Sequence, residues 1–243
     1  MEKLLANKRA IVTGGSRGLG LAIASALAND GAHVLVVGRS EEGCSKAVAR
    51  IRNLGGVADA CAVDLTDSAG ADRVVEACFG SFGGVEILVN NAGVFVYKDF
   101  FNLARADFDG TIATNLAAPF YLSQRAAALM AKQGQGGSII NISSIHGKVG
   151  DPKVVPHCAS KAGLIGLTQA MAEALREHDI RVNAICPGAI EDESSDRRST
   201  SPQQKVTQAD VATLAAFLAS DLSASVSGAA IDAYGCTHTQ IHV

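Results

Sequence analysis

A doubly wound parallel α/β sheet is the fold this sequence predicts, and three observations predict it. Apolar runs with a strand's β-branched content alternate with helical patterns along the chain. The first run, Arg9 to Val12, empties into a glycine turn, Thr13-Gly14-Gly15-Ser16-Arg17-Gly18-Leu19-Gly20, and a helix leads straight out of it. The chain of 243 residues is 48% hydrophobic, which suits one large core, and it shows no repeat or linker, so a single domain over 1–243 is expected.

Leu19, Ala22, Ile23, Ala26 and Leu27 have the spacing of a helix's buried face. Gly14, Gly18 and Gly20 leave the turn before it without Cβ atoms. A diphosphate can then approach the backbone and sit on the helix's free N–H groups and positive dipole end. Taken alone, the same glycines also fit a turn that binds nothing. Ala32 to Val37 is the continuous apolar run of a strand covered on both faces, ending at Gly38-Arg39-Ser40. At such a strand end a carboxylate holds a free ribose 2′-hydroxyl, whereas a guanidinium fits a 2′-phosphate. Arg39, with Arg17 inside the turn, therefore points to NADP(H), unless both are plain surface charges.

Glu41 to Asn53 reads as a helix closed by Gly55-Gly56, and Val57 to Val63 as a third strand running into Asp64-Leu65-Thr66-Asp67. Asp64 stands either where a cofactor's adenine edge can reach it or as a cap for the next helix, about Ser68 to Phe82. Glu86 to Val89 is a fourth strand leading into Asn90-Asn91-Ala92-Gly93. With it the βαβ alternation predicts a ligand crevice at the carboxyl ends of the strands. A long helical segment, Ala106 to Lys132, carries Asn115 in an apolar stretch. Such an asparagine is either a satisfied core group or the mark of a bend bearing a functional group. Gly137 to Ile142 is a fifth strand ending in Ser143-Ser144; a helix over about Pro156 to Glu177 and a sixth strand, Ile180 to Cys186, ending at Pro187-Gly188, follow. Residues 191–208 are polar and read as a mobile loop on the substrate side. Ala209 to Ala219 is a last helix and Gly228 to Asp232 a last strand.

A net charge of -3 and no Lys/Arg run beyond two residues argue against nucleic acid. No stretch approaches the length of an uncharged apolar span, so no membrane is expected. Cys44, Cys61, Cys78, Cys158, Cys186 and Cys236 form no C-x-x-C pair and fit reduced thiols, with no metal site and a cytoplasmic location.

Thr13 to Gly20, Asp64, Asn90 to Gly93, Asn115, Ser144, Lys161 and Pro187-Gly188, in this order, resemble the short-chain dehydrogenase/reductase family over about Lys8 to Asp232. The likeness is to its compact NADPH-dependent carbonyl and 3-oxoacyl-carrier-protein reductases. It implies a Rossmann-like sheet of about seven strands with helices on both faces. It implies an NADP(H) site formed by Gly14, Ser16, Arg17, Gly18, Leu19, Gly20 and Arg39. Asp64, Leu65, Asn91, Ala92, Gly93, Lys161, Pro187, Gly188 and Ile190 would complete that site. It also implies a small carbonyl or alcohol substrate, and a homodimer or homotetramer built on the small-residue helix faces around Asn115 and over Ala159 to Ala174.

The family's chemistry is carried by an asparagine, a serine, a tyrosine and a lysine. Asn115, Ser144 and Lys161 match, but the Y-x-x-x-K motif is here His157-Cys158-Ala159-Ser160-Lys161. Positions i and i+4 share a helix face, so His157 and Lys161 still point one way. Hydride transfer to a carbonyl leaves charge on oxygen that a proton donor must meet. An imidazole beside Lys161 is expected to stay mostly neutral. Three readings of His157 follow: a substitute acid/base, a cofactor-binding relative without redox turnover, or a site for non-redox dehydration or isomerisation. His146 offers a second imidazole or is plain surface. Asp192 stands where the family's nicotinamide-touching threonine is expected, and Glu191-Asp192-Glu193 either repels anions or is simply solvated. The segment after Pro187-Gly188 is short and polar, which predicts an open pocket.

Overall fold

The computed structural model describes residues 3–190 and 206–234. The strands are β1 (Arg9–Thr13), β2 (His33–Gly38), β3 (Val57–Ala62), β4 (Ile87–Asn90), β5 (Gly137–Ile142), β6 (Ile180–Pro187) and β7 (Ala230–Ala233). The helices are α1 (Gly18–Asn29), α2 (Glu41–Asn53), α3 (Gly70–Phe82), α4 (Arg105–Ile112), α5 (Ala118–Gln133), α6 (Val155–Ala174) and α7 (Gln208–Ala219). All strands are parallel, in the order β3-β2-β1-β4-β5-β6-β7. The order reverses between β1 and β4, so the carboxyl ends of those two strands are where the topology expects a ligand crevice.

Alternate side chains of each strand serve opposite faces, so the sheet divides two cores. Ala10 and Val12 of β1 join Val34, Val36, Val89 and Ile140 under α1, α2 and α7. Ile11 joins Leu35, Val37, Leu88 and Ile139 on the other side, under α3, α5 and α6. Glu86, just ahead of β4, is buried and paired with the Arg9 guanidinium; it also accepts from the Arg9 backbone N–H at 2.7 Å. This pair locks the amino ends of β1 and β4 together.

The structure corrects several sequence-based boundaries. The helical segment predicted as one piece over Ala106 to Lys132 is α4 and α5 joined by a π-helical turn, Ala113–Ala117, with Asn115 at its centre. The helix expected to run to Glu177 ends at Ala174 and passes into a 3₁₀ turn, Arg176–His178. The expected mobile loop over 191–208 is too long at its end: Val206 is buried and bridges Ile190, and Thr207 caps α7 by accepting from the Asp210 N–H. Residues 191–205, with Asp192, the acidic cluster and the coverage of the pocket, lie outside the described residues, as does Cys236. Cys44, Cys61, Cys78, Cys158 and Cys186 are free thiols, and burial pushes that of Cys78 up to about 12. No described helix is long and apolar enough to cross a membrane.

Candidate active site

The glycine turn is held from β4. Thr13 Oγ1 donates to the Val89 carbonyl at 3.2 Å and accepts from the N–H groups of Asn91 (2.9 Å) and Ala92 (3.0 Å). Asn91 answers with its side-chain amide, which donates to the Thr13 carbonyl at 2.9 Å. A methyl group on Gly20 would strike the Gly14 carbonyl oxygen, so this glycine is needed for the turn to close on α1. Gly18 differs: its φ is +53° and nothing stands within 4 Å of where its Cβ would be. The turn is thus tight on its inner side and open on its outer side, where a ligand's phosphates would lie.

Arg17 and Arg39 are both exposed on this open side, and among the described residues neither makes an ion pair. Ser16 packs beneath them against Gly38 and Gly43, and Leu19 packs on the core below. Asp64 accepts from the N–H (2.9 Å) and hydroxyl (2.7 Å) of Thr66, bonds that, with Arg39 nearby, hold its carboxyl below the usual range. The alternative of a helix cap is not realised, since α3 starts at Gly70 with no side-chain cap. Leu65 packs on the lower core. At the far side of the crevice the Gly188 N–H donates to the Ala233 carbonyl at 3.1 Å, after the buried Pro187.

Asn115, Ser144, His157 and Lys161 come from the π turn, the end of β5 and the first turns of α6. Asn115 is fully buried. Its carbonyl accepts from the Val94 N–H at 2.8 Å, and its amide donates to the Val94 carbonyl at 2.9 Å and to Ser160 Oγ at 3.2 Å. Ser160 in turn donates to the His157 carbonyl at 2.8 Å. Asn115 is therefore a satisfied core group, and it also sits in a helix irregularity, where an extra backbone residue turns it toward the loop after β4. Lys161 is buried, donates to the Ile142 carbonyl at 2.7 Å, and lies 3.8 Å from where a Cβ on Gly93 would be. Burial lowers its ammonium to about 8. Ser144 Oγ accepts from the His146 N–H at 3.1 Å and keeps its own proton free to donate.

His157 is half-buried. The Phe95 ring stands edge-on at 4.9 Å from it and the His146 ring at 6.2 Å. Burial first, then Lys161 and His146, lower its pKa to about 4, with the nearby Val94 carbonyl working the other way. The imidazole is neutral at pH 7. Among the described residues no group of three or more His, Cys, Asp or Glu side chains gathers.

Sequence reasoning missed two features. Phe95 lies in a loop with no periodicity. A buried polar chain also runs under the site: Asn90 donates to Ser123 Oγ and to Asn141 Oδ1, each at 2.9 Å, and Asn141 donates to Thr168 Oγ1 at 2.9 Å. The signal for it was present as polar residues inside apolar strands.

The family described as short chain dehydrogenase matches residues 8–204. The chain belongs to the short-chain dehydrogenase family. This short-chain dehydrogenase is 37% identical over 245 residues to the L-rhamnose 1-dehydrogenase (NAD(P)(+)) of Azotobacter vinelandii, covering 94% of the chain and 95% of that relative. It is 38% identical over 189 residues to the galactitol 2-dehydrogenase of Agrobacterium fabrum, covering 78% and 73%. To the 3-oxoacyl-acyl-carrier-protein reductase of Aquifex aeolicus it is 33% identical, covering 97% and 99%. Its fold matches a crystal structure of a short-chain type dehydrogenase/reductase from Mycobacterium marinum with a TM-score of 0.91, at 30% identity and 98% coverage of both chains. It is an oxidoreductase of a family that uses a nicotinamide cofactor. The open side of the glycine turn and the buried ammonium beside Gly93 fit a dinucleotide there.

Proposed function

We propose that this short-chain dehydrogenase interconverts an alcohol and a carbonyl with NADP(H), and that His157 exchanges the proton where relatives use a tyrosine. The observation that carries this reading is the convergence of a neutral imidazole, His157, and a buried ammonium, Lys161, on one helix face beside Gly93. The bound nicotinamide would supply or take the hydride. The glycine turn, Asn91 to Gly93, Lys161 and the Pro187-Gly188-Ile190 end of β6 would hold it, with Asp64 and Leu65 toward the adenine. Arg17 and Arg39, exposed and without described ion pairs, favour the form with a 2′-phosphate.

In this reading Ser144 donates its free proton to the substrate oxygen and orients it. His157 gives or accepts the proton as charge develops there, and Lys161 steadies the cofactor and keeps the imidazole from charging early. Asn115 holds Val94, the loop residue beside the His157 ring, at both its N–H and its carbonyl. The test is NADPH oxidation over ketones, quinones and 3-oxoacyl thioesters, and NADP⁺ reduction over polyols. His157→Ala is expected to lower kcat by about 10²-fold or more; an unchanged rate would refute the role of His157. Equal affinity for NADH and NADPH would remove the case for Arg17 and Arg39. A second reading, cofactor binding without turnover, draws on the Nδ1 of His157 being enclosed by protein. It gains if NADPH binds and no carbonyl oxidises it.

A further inference from the structure

Of the chain's eight phenylalanines and three tyrosines, Phe95, Tyr97, Phe100 and Phe101 fall within residues 95–101, in the loop after β4. All four are exposed, Phe95 by 58% and Tyr97 by 66%. So dense a group of open rings on one loop marks a surface that meets something apolar. Exposure alternates along the start of the loop: Gly93, Phe95 and Tyr97 are exposed, Val94 and Val96 half-buried. The segment is therefore extended, with Gly93, Phe95 and Tyr97 on one side. That side runs along α6 toward its amino end. A Cβ on Gly93 would lie 3.8 Å from the Lys161 ammonium, the Phe95 ring is 4.9 Å from that of His157, and Tyr97 lies within electrostatic range of Lys153. The two rings thus continue outward from the place where a substrate oxygen would meet His157.

This wall is fixed in advance. Asn115 holds Val94 at its N–H (2.8 Å) and its carbonyl (2.9 Å), and the Lys98 N–H donates to the Lys153 carbonyl at 2.9 Å. Lys153 pairs with Asp99, and the Lys98 ammonium donates to Asp107 at 2.6 Å. Among the described residues the charged side chains of the segment are therefore engaged with one another, and ring surface is what Phe95 presents.

We propose that Phe95 is a specificity-determining residue: with Tyr97 it forms an apolar wall that selects alcohols and carbonyl compounds bearing a flat aryl group over acyclic polyols. This rests on the reading of the site as an alcohol–carbonyl oxidoreductase centred on His157. An aryl group laid on Phe95 leaves water and gains ring–ring contact. A polyol chain in the same place has no flat apolar face, and its hydroxyls would lose water without gaining a partner.

The test is NADP⁺ reduction by the full-length protein with 1-phenylethanol, 2-propanol and sorbitol, for wild type, Phe95→Leu and Phe95→Asn. Wild type is expected to favour 1-phenylethanol over 2-propanol by about 10²-fold in kcat/KM, and to rank sorbitol below 1-phenylethanol. Phe95→Asn is expected to shrink the first ratio about tenfold, through KM, and Phe95→Leu to shrink it less, since it keeps apolar surface without the ring. A wild type that prefers sorbitol overturns the proposal. So does an asparagine variant that slows 1-phenylethanol and 2-propanol by one factor, which would make Phe95 a support for the His157 ring and nothing more. Should none of the three alcohols be oxidised, the reading of the site as an oxidoreductase fails, and saturation-transfer NMR of acetophenone on the protein with NADPH decides the wall by itself. A signal in wild type that is lost in Phe95→Asn upholds it; a signal absent from wild type, or retained in Phe95→Asn, overturns it.

Discussion

Lys161 and His157 carry opposite consequences for activity and stability. A buried ammonium whose value falls from 10.5 to about 8 binds its proton less readily folded than unfolded. Its contribution is fully favourable above the unfolded value and is lost as pH falls from 10.5 toward 8. We expect Lys161→Met to stabilise the cofactor-free protein by roughly 1–3 kcal/mol at pH 7 while abolishing turnover; urea melts read the first and NADPH oxidation the second. His157, lowered from 6.5 to about 4, has the same sign. Stability is present above pH 6.5 and drains as pH falls toward 4, so His157→Asn is expected to flatten denaturant midpoints measured across that window. Asn115→Ala would leave both peptide groups of Val94 without their partner and remove one of the two bonds of the Ser160 hydroxyl, at a cost of about 2–3 kcal/mol read by the same melts. These roles were only partly legible in the sequence. Spacing alone put His157 and Lys161 on one face, but that Asn115 acts on a loop was invisible, because its partners are backbone groups and any sequence supplies those.

Among the elements, the strands were the most legible and the helix ends the least. β2 is a continuous apolar run that suits burial on both faces, and both it and β5 form where expected. The long helix hid its π turn, since one extra residue shifts the apolar face without erasing it. The glycine turn shows the same limit from another side. Its pattern marks flexibility, yet Gly20 is there because the Gly14 carbonyl occupies the space of a side chain. Gly20→Ala should therefore cost about 3 kcal/mol or more and lower soluble yield, whereas an alanine at Gly18 meets open space and pays only for its left-handed backbone, about 1 kcal/mol. Thermal melts of the two variants test the ordering.

For the whole molecule, the doubly wound parallel sheet was legible in the alternation of strands and helices, but the strand order and the polar chain through Asn90 and Asn141 depend on pairings of distant segments. The helix faces expected to join copies of the chain are consistent with exposure: Ala159, Ala162, Gly166 and Ala170 form a bare small-residue stripe on α6, and Phe120 and Tyr121 stand exposed on α5. We expect a dimer or tetramer by light scattering at micromolar concentration, and Gly166→Arg to shift it toward monomer without loss of helix content. A wild-type monomer would refute this.

The hold of Thr13 and Asn91 on the glycine turn has one further consequence. A nucleotide bound there as proposed would meet a turn already held in place, so docking should involve little refolding of the chain. Calorimetry should then return a heat-capacity change no larger than the covered apolar surface demands, and amide exchange at Gly15, Asn91 and Ala92, whose N–H groups are hydrogen-bonded, should be slow with or without the nucleotide.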